Sequence, residues 1–439
     1  MIEKFERRIK RKLMRMIMKK TAFLFFWACY VTSANCFGAV DSNGVNKAFT
    51  ADGNDIKEAV AGNTNFAFDL YGKLKNDLNA TEPRGEPSSN LFFSPYSLSA
   101  ALAMTYAGAR GNTEKQMATT LHFTLPGKRL HRAFGTLQNQ IVQDEKSRGY
   151  QLLLANALWG QKGEPFLKEF LDLTKYYYGA GFTLLDFINE TEQSRQIINS
   201  WVEEKTKEKI KELIPPKGVN VETVLVLTNA IYFKGEWKTK FKKKETELAD
   251  FAISAEDKVK VRLMHLEEDF KYYEDKKMQA IELPYKGDEL SMLVLLPRET
   301  EGIKELENTL TAESLNRLLS KMFTTKADVY FPKFKIAWGT FSLNKALIAL
   351  GMPDAFDREK ADFSGITGKG HIWISDVFHK AFVEVNEEGT EAAAATAVVI
   401  TKGIYLEHVF RADHPFIFII KDNRSQSILF MGRVMNPAE

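Results

Sequence analysis

The stretch from Ala381 to Ile400 restricts this chain more than any other. Ala381 to Asn386 alternates, with Ala381, Val383 and Val385 on one face and Phe382, Glu384 and Asn386 on the other, the period of a strand. The strand meets Gly389 and then runs to Ile400 without Pro or further Gly, so nothing obliges it to turn. Counting by twos places Thr390, Ala392, Ala394, Thr396 and Val398 on one face and the single charge, Glu391, on the other. A face so small and uncharged can pass between two existing strands without burying charge. Four consecutive alanines are also strong helix formers. The β-branched Thr396, Val398, Val399, Ile400 and Thr401 favour extended structure. Local propensity leaves helix and strand both open.

Nothing covalent holds the remainder together. Cys29 and Cys36 are the only cysteines, too few for a disulfide framework or a thiolate metal site. The fold must rest on its core, and 439 residues that are 44% apolar and 12% aromatic supply one.

The first 34 residues are different in character. Nine Lys/Arg between Lys4 and Lys20 precede an uncharged apolar run, Thr21 to Val31, that ends at Thr32, Ser33 and Ala34. This is the pattern of an export signal over 1–34, with Met14, Met16 or Met18 as alternative starts, and it sends the mature chain outside the cell or into a periplasm. An uncleaved anchor is the alternative, for which the run is short against the roughly 20 residues a span requires. Cleavage after Ala34 leaves Cys36 near the new N-terminus and open to a lipid anchor, although Asn35 fits a lipoprotein cleavage box poorly.

Without residues 1–34, 51 Lys/Arg stand against 55 Asp/Glu. The basic balance therefore belongs to the leader, and no positive field argues for nucleic acid or an anionic membrane as partner. Lys238, Lys240, Lys242, Lys243 and Lys244 form one local exception. They read as a polyanion site or as a solvated face, and Glu245 and Glu247, following at once, favour the second.

Val40 to Gly62 is rich in Asn, Gly, Asp and Ala without apolar periodicity, which predicts a mobile extension over 35–62 and a globular domain over 63–439. Phe66, Leu70 and Leu74 recur at helical spacing. Ser94 and Pro95 are the N-cap and first position of an apolar helix reaching Gly108. Thr113 and Gln116 have capping-box spacing for the next helix. Leu152 to Trp159 and Val224 to Phe233 read as strands buried on both faces. Between them, Ile197, Ile198, Trp201, Val202, Ile210, Leu213 and Ile214 form one helical face, Glu203 lies opposite Lys207 at i,i+4, and Pro215 and Pro216 end the helix. Met278 to Leu283 and Leu290 to Leu296 flank Pro-Tyr-Lys-Gly-Asp as a hairpin. Asp328 to Phe334, Phe416 to Ile420 and Ile428 to Val434 add strands. This irregular interleaving, without a repeat, predicts a single α+β domain.

Enzyme motifs are missing. There is no dinucleotide or phosphate loop, since Gly365 to Gly370 (Gly-Ile-Thr-Gly-Lys-Gly) lacks both spacing and hydroxyl. There is no nucleophile elbow, and His265 has no second His four positions on to make a zinc helix. The chain reads as no enzyme. Asn79, Asn189 and Asn423 stand in glycosylation sequons.

Several stretches together resemble the serpins, the suicide inhibitors of proteases. They are Asn90 to Ser99 (Asn-Leu-Phe-Phe-Ser-Pro-Tyr-Ser-Leu-Ser), Thr228 to Trp237 (Thr-Asn-Ala-Ile-Tyr-Phe-Lys-Gly-Glu-Trp), Phe331 to Phe334 (Phe-Pro-Lys-Phe), His379 to Ala381 (His-Lys-Ala), Asp413 to Phe418 (Asp-His-Pro-Phe-Ile-Phe) and the segment from Glu387. The resemblance covers Asn63 to Pro437. It implies three β-sheets, eight or nine helices and an exposed reactive-centre loop from Glu387 to about His408. The proximal hinge is then Glu387, Glu388, Gly389, Thr390, Glu391, Ala392, Ala393, Ala394, Ala395 and Thr396. The shutter, polar groups under a sheet that must open, is Ser94, Ser97, Asn229 and His379, and Trp237 marks the breach.

The mechanism so implied needs no cofactor and acts as a monomer. A target serine or cysteine protease, trypsin-like or elastase-like, attacks the loop and forms an acyl-enzyme. The freed N-terminal side inserts as a central strand, and the dragged enzyme loses its oxyanion geometry. Counting 17 positions from Glu387 puts Gly403 before the cut, at Gly403-Ile404, and a loop one residue shorter puts Lys402 there, suited to a trypsin-like pocket. Tyr405 would suit a chymotrypsin-like one. The alternative is a non-inhibitory member serving as carrier or chaperone. A charge or Pro at Thr390, Ala392 or Ala394 would signal it, and none is present.

Overall fold

A computed structural model describes residues 50–79, 89–142, 149–179, 181–369, 372–390 and 408–438. Residues 1–34, Cys36, the expected hinge positions Glu391, Ala392, Ala393, Ala394, Ala395 and Thr396, and the bond candidates Lys402, Gly403, Ile404 and Tyr405 lie outside the described residues.

Helix α1 (Gly53–Asn79) begins ten residues before the expected domain start at Asn63, which corrects the extension drawn over 35–62. Asp55, Ala59, Val60 and Asn63 are buried, and Asp55 meets Arg129 at 2.5 Å. The period was hard to see because Ala, Asp and Asn, not large apolar residues, line the inner side of these turns. After β1 (Leu91–Phe93), Ser94 caps α2 (Pro95–Tyr106) by accepting the Ser97 N–H. The capping box expected at Thr113 does not form. Helix α3 (Gly111–Thr120) starts earlier, and Thr113 and Gln116 accept N–H groups from Asp362 and Asp354 instead. Helix α4 (Gly127–Ile141) packs on α1.

Strand β2 (Tyr150–Gln161), helix α5 (Lys168–Tyr178) and strand β3 (Gly181–Leu185) lead to α6 (Thr191–Lys205) and β4 (Leu225–Glu236). Helix α6 stops well before Pro215. The Thr206 hydroxyl donates to Val202 O and accepts the Ile210 N–H, closing the last turn. Lys207, Glu208 and Glu212 then take positive φ of 50°, 61° and 48°. Ile210, Leu213 and Ile214 are still buried, but from an irregular connector, and Lys211 meets Glu203 at 3.1 Å.

The remaining strands are β5 (Glu247–Ala252), β6 (Lys258–Glu274), β7 (Met278–Pro284), β8 (Leu290–Pro297), β9 (Phe323–Pro332), β10 (Phe334–Ser342), β11 (Asp376–Val385), β12 (Gly389–Thr390), β13 (His408–Arg411), β14 (Phe416–Asp422) and β15 (Ile428–Val434). The expected hairpin is β7–β8. Among the described residues the expected sheets pair into two hydrogen-bonded paths, because two of them run together. The order β1-β15-β14-β8-β7-β6-β9-β13, with β5 also on β6, runs unbroken because the 17-residue β6 pairs β9 along most of its length and reaches β7 through only Lys271 to Glu274. The second sheet is β10-β11-β4-β2-β3. Its central strand β4 is buried on both faces, under α6 on one side and over the main core on the other, as its nearly charge-free sequence requires, while β3 and the outer face of β10 are exposed.

Candidate functional site: a strand seam and its hinge

The second sheet has two parallel ladders, β2–β3 at its edge and β4–β11 in its interior, and the interior one is its weak line. Strands β4 and β11 are parallel neighbours over seven residue pairs, Val226↔Asp376 to Tyr232↔Phe382, and the pairing stops there although both strands continue. Parallel ladders are slightly less stable per residue than antiparallel ones, and β4 and β11 are each bound antiparallel on their other sides. At the open end the chain leaves β11, turns at Glu387 and Glu388, and comes back as β12. Gly389 and Thr390 pair antiparallel with Glu236 and Gly235 of β4, while Asn386 bridges Gly389. The first two residues of an additional strand already sit between β4 and β11.

This entry admits only glycine at position 389. Its φ is 137°, and a Cβ there would lie 2.0 Å from the Gly235 carbonyl oxygen. The preceding carbonyls are held by the stretch after β4. Trp237 N–H donates to Glu388 O at 3.0 Å, Phe241 N–H to Glu387 O at 2.9 Å, and the Trp237 indole to Asn386 O at 3.0 Å. Trp237 stacks on Tyr285 and is almost wholly buried.

The two hinge carboxylates are buried and clamped. Glu387 accepts from Lys333 Nζ at 2.8 Å and Thr246 Oγ1 at 3.0 Å. Burial pushes its pKa up, but the Lys333 and Thr246 hydrogen bonds outweigh that and leave it lowered. Glu388 meets Lys240 at 2.8 Å and Lys243 at 3.3 Å, and that hydrogen bond raises the Lys240 pKa. The basic run is therefore neither an open polyanion site nor a plain solvated face. Lys238 pairs with Asp288, Lys242 with Glu245, and Lys240 and Lys243 hold the hinge.

The four residues expected to form the shutter, Ser94, Ser97, Asn229 and His379, belong to one hydrogen-bond network beside the seam. His379 Nε2 accepts the Ser94 N–H at 3.3 Å, so Nδ1 carries the proton and donates to Asn229 Oδ1 at 2.5 Å. Asn229 Nδ2 donates to Ser97 Oγ and Asn156 Oδ1. Ser94 Oγ donates to Leu429 O in β15, tying the network to the other sheet. Asn156, Asn229 and His379 are in register across β2, β4 and β11, so the His379–Asn229 bond crosses the seam itself. Burial pulls the His379 pKa down to about 3.

Sequence reading missed Asn156, Thr246, Lys240, Lys243 and Lys333. Lys240 and Lys243 stand in the basic run, Asn156 in the strand Leu152 to Trp159 and Lys333 in Phe331 to Phe334, but nothing local gives any of them a role at the hinge or in the network. Among the sequons, Asn423 is half-buried, accepting from Ser291 and Lys421 and donating to Asp288 O, whereas Asn189 is exposed.

Comparison with known proteins accounts for the whole arrangement. Residues 61–437 match the family described as Serpin (serine protease inhibitor). The leukocyte elastase inhibitor of Homo sapiens is 42% identical over 391 residues, covering 87% of this chain and all of the relative. An uncharacterized serpin-like protein of Methanosarcina acetivorans is 37% identical over 445 residues, with 96% and 99% covered. Among solved structures, uncleaved ovalbumin (32% identity, TM-score 0.77) covers 87% of this chain, and human thyroxine-binding globulin complexed with thyroxine (31%, 0.79) covers 88%, each over its whole length. Matched family model, full-length relatives, and a glycine-hinged strand poised at a parallel seam agree, and the chain belongs to the serpin family of serine protease inhibitors.

Proposed function

We infer that the protein is a suicide inhibitor that traps its target protease as an acyl-enzyme by drawing the cleaved loop into the β4–β11 seam. The observation that carries this is the ladder already begun by Gly389 and Thr390 on β4. Full entry would replace a seven-pair parallel ladder by two antiparallel ones. At about 1 kcal/mol per net hydrogen bond, the gain is on the order of 5 to 10 kcal/mol before apolar burial.

The relatives named leukocyte elastase inhibitor support an elastase-like serine protease as target, with Lys402, Gly403, Ile404 and Tyr405 as candidate bond residues. Residues 1–34 support export, the Cys36 anchor being the lesser form, and a monomer suffices for the mechanism. The test is a panel of elastase-, trypsin- and chymotrypsin-like proteases resolved on denaturing gels. A protease-sized covalent adduct is expected, and N-terminal sequencing of the released fragment identifies the bond. Steady turnover with no adduct would sink the inference.

The likeness to thyroxine-binding globulin favours one other reading, a carrier. A carrier would be cleaved without an adduct and without gain in thermal stability.

A further inference from the structure

The short turn that carries the hinge clamp rests on a histidine. Lys243–Glu245 forms the turn, and Thr246, next in the chain, donates its hydroxyl to Glu387 at 3.0 Å. His265 of β6 stacks on Tyr330 of β9 with ring centroids 4.6 Å apart and stands between two carboxylates. Its Nε2 meets Asp328 of β9 at 2.5 Å, and its Nδ1 lies 3.7 Å from Glu245. The neighbouring charges are engaged with one another. Lys242 holds the other oxygen of Glu245 at 3.3 Å, and Lys326 holds Glu267. Arg411 of β13 covers the Tyr330 ring and meets Glu247 and Asp413, and His414 in turn bonds Asp413. No other described histidine bonds to residues 237–246.

Imidazole is the side chain that ordinarily changes charge between about pH 5 and 8. Neutral, it has one N–H for one carboxylate; charged, it has two and attracts both. The hinge clamp itself keeps its charge through that range. Against the upward push of burial, the Lys333 and Thr246 hydrogen bonds hold Glu387 ionised, and the bond to Glu388 keeps Lys240 charged. We propose that His265 is a positioning residue that makes the hinge pH-sensitive: charged, it draws Glu245 toward β9, steadies Thr246 on Glu387 and holds Gly389 and Thr390 on β4; neutral, it lets the turn and the hinge loosen. Loop entry is quickest from the docked hinge, and the charge shifts the population toward it. The link to inhibition rests on the inhibitory reading, and the link to the hinge does not.

The test is hydrogen exchange on the full chain at about pH 6 and about pH 8, corrected for the pH dependence of free amides. The stretch holding Trp237 and Phe241, whose N–H groups donate to Glu388 O and Glu387 O, should be better protected at the lower pH by about fivefold or more. In His265→Gln, and separately in Glu245→Gln, protection should match the parent's high-pH value at both. Should His265→Gln fail to fold, Glu245→Gln decides. Equal protection of the parent at the two pH values, or a slope that persists in either variant, overturns the proposal. With one target protease at the lower pH, His265→Gln should consume about twice as many moles of chain per mole of enzyme inactivated as the parent, and at the higher pH the two should agree. Comparing chains at one pH cancels the protease's own titration. Equal consumption at the lower pH despite a protection slope overturns the link to insertion. A slope in a chain that inhibits no protease overturns the inhibitory reading and leaves the pH-sensitive hinge standing.

Discussion

At position 389 a single hydrogen atom decides the geometry. Gly389→Ala sets a methyl against the Gly235 carbonyl in a backbone conformation that L residues avoid. It should lower stability by about 1 to 3 kcal/mol, read as a drop in denaturant midpoint, and delay strand entry. Thr390, whose backbone pairs with Gly235, is the second residue of the entering strand. Thr390→Arg must bury a cation in the seam and should turn the inhibitor into a substrate, raising stoichiometry of inhibition at least tenfold; an unchanged value would count against insertion at this seam. Titration adds a third expectation. Burial lowers His379 to about 3 and His131 to about 4, so the unfolded chain binds more protons between those values and pH 6.5. Stability from each histidine is complete above pH 6.5 and falls as the pH drops, at up to about 1.4 kcal/mol per unit. Asp376, pushed up to about 6 by burial, acts in the opposite sense between pH 6 and 4. The melting temperature should fall from pH 6.5 to 4, and His379→Gln should flatten that slope; a slope unchanged in the variant would locate the effect elsewhere.

Between elements, the hinge is a turn clamped by its neighbours. Removing Lys240 and Lys243 together takes two cations from the buried Glu388 carboxylate, a loss on the order of 3 kcal/mol. The double Lys→Ala variant should melt several degrees lower and expose the β4–β11 edges to strands of other copies, visible as ladders on native gels. If it stays monomeric with an unchanged melt, the clamp has no role. These lysines illustrate what sequence can and cannot say. Gly389, the Ala381/Val383/Val385 face and the Ser94 cap were legible from local period and capping pattern, whereas Ser97, Asn229 and His379 were grouped only through the family resemblance. Lys240 and Lys243 looked like solvent-facing charge, since their partner lies 148 and 145 residues on and only the fold brings it near. Thr246, Lys333 and Asn156 were hidden for the same reason. The end of α6 was hidden otherwise, because ordinary residues at Lys207 and Glu208 take the left-handed conformation that sequence assigns to glycine.

For the molecule as a whole, the intact chain is expected to sit above a more stable state that only the cut makes reachable. Nicked protein should melt tens of degrees above intact protein if the net ladder gain estimated for insertion is realised; coincident melts would remove the reason to think of a trap. The α+β class could be read from the interleaving of strands and helices, but the joining of sheets through four residues of β6 could not, because nothing local distinguishes a strand that serves one sheet from a strand that serves two. The turn at Glu387 and Glu388 also sets a measure. It anchors the incoming strand to the end of β11, so entry can advance only from Gly389 onward, each residue carrying the cargo about 3.4 Å and alternating between faces. The distance in residues from Thr390 to the cut is thus a ruler for where the protease comes to rest. Lengthening that span by one residue just after Thr390 would swing Glu391 inward and put every later side chain on the wrong face.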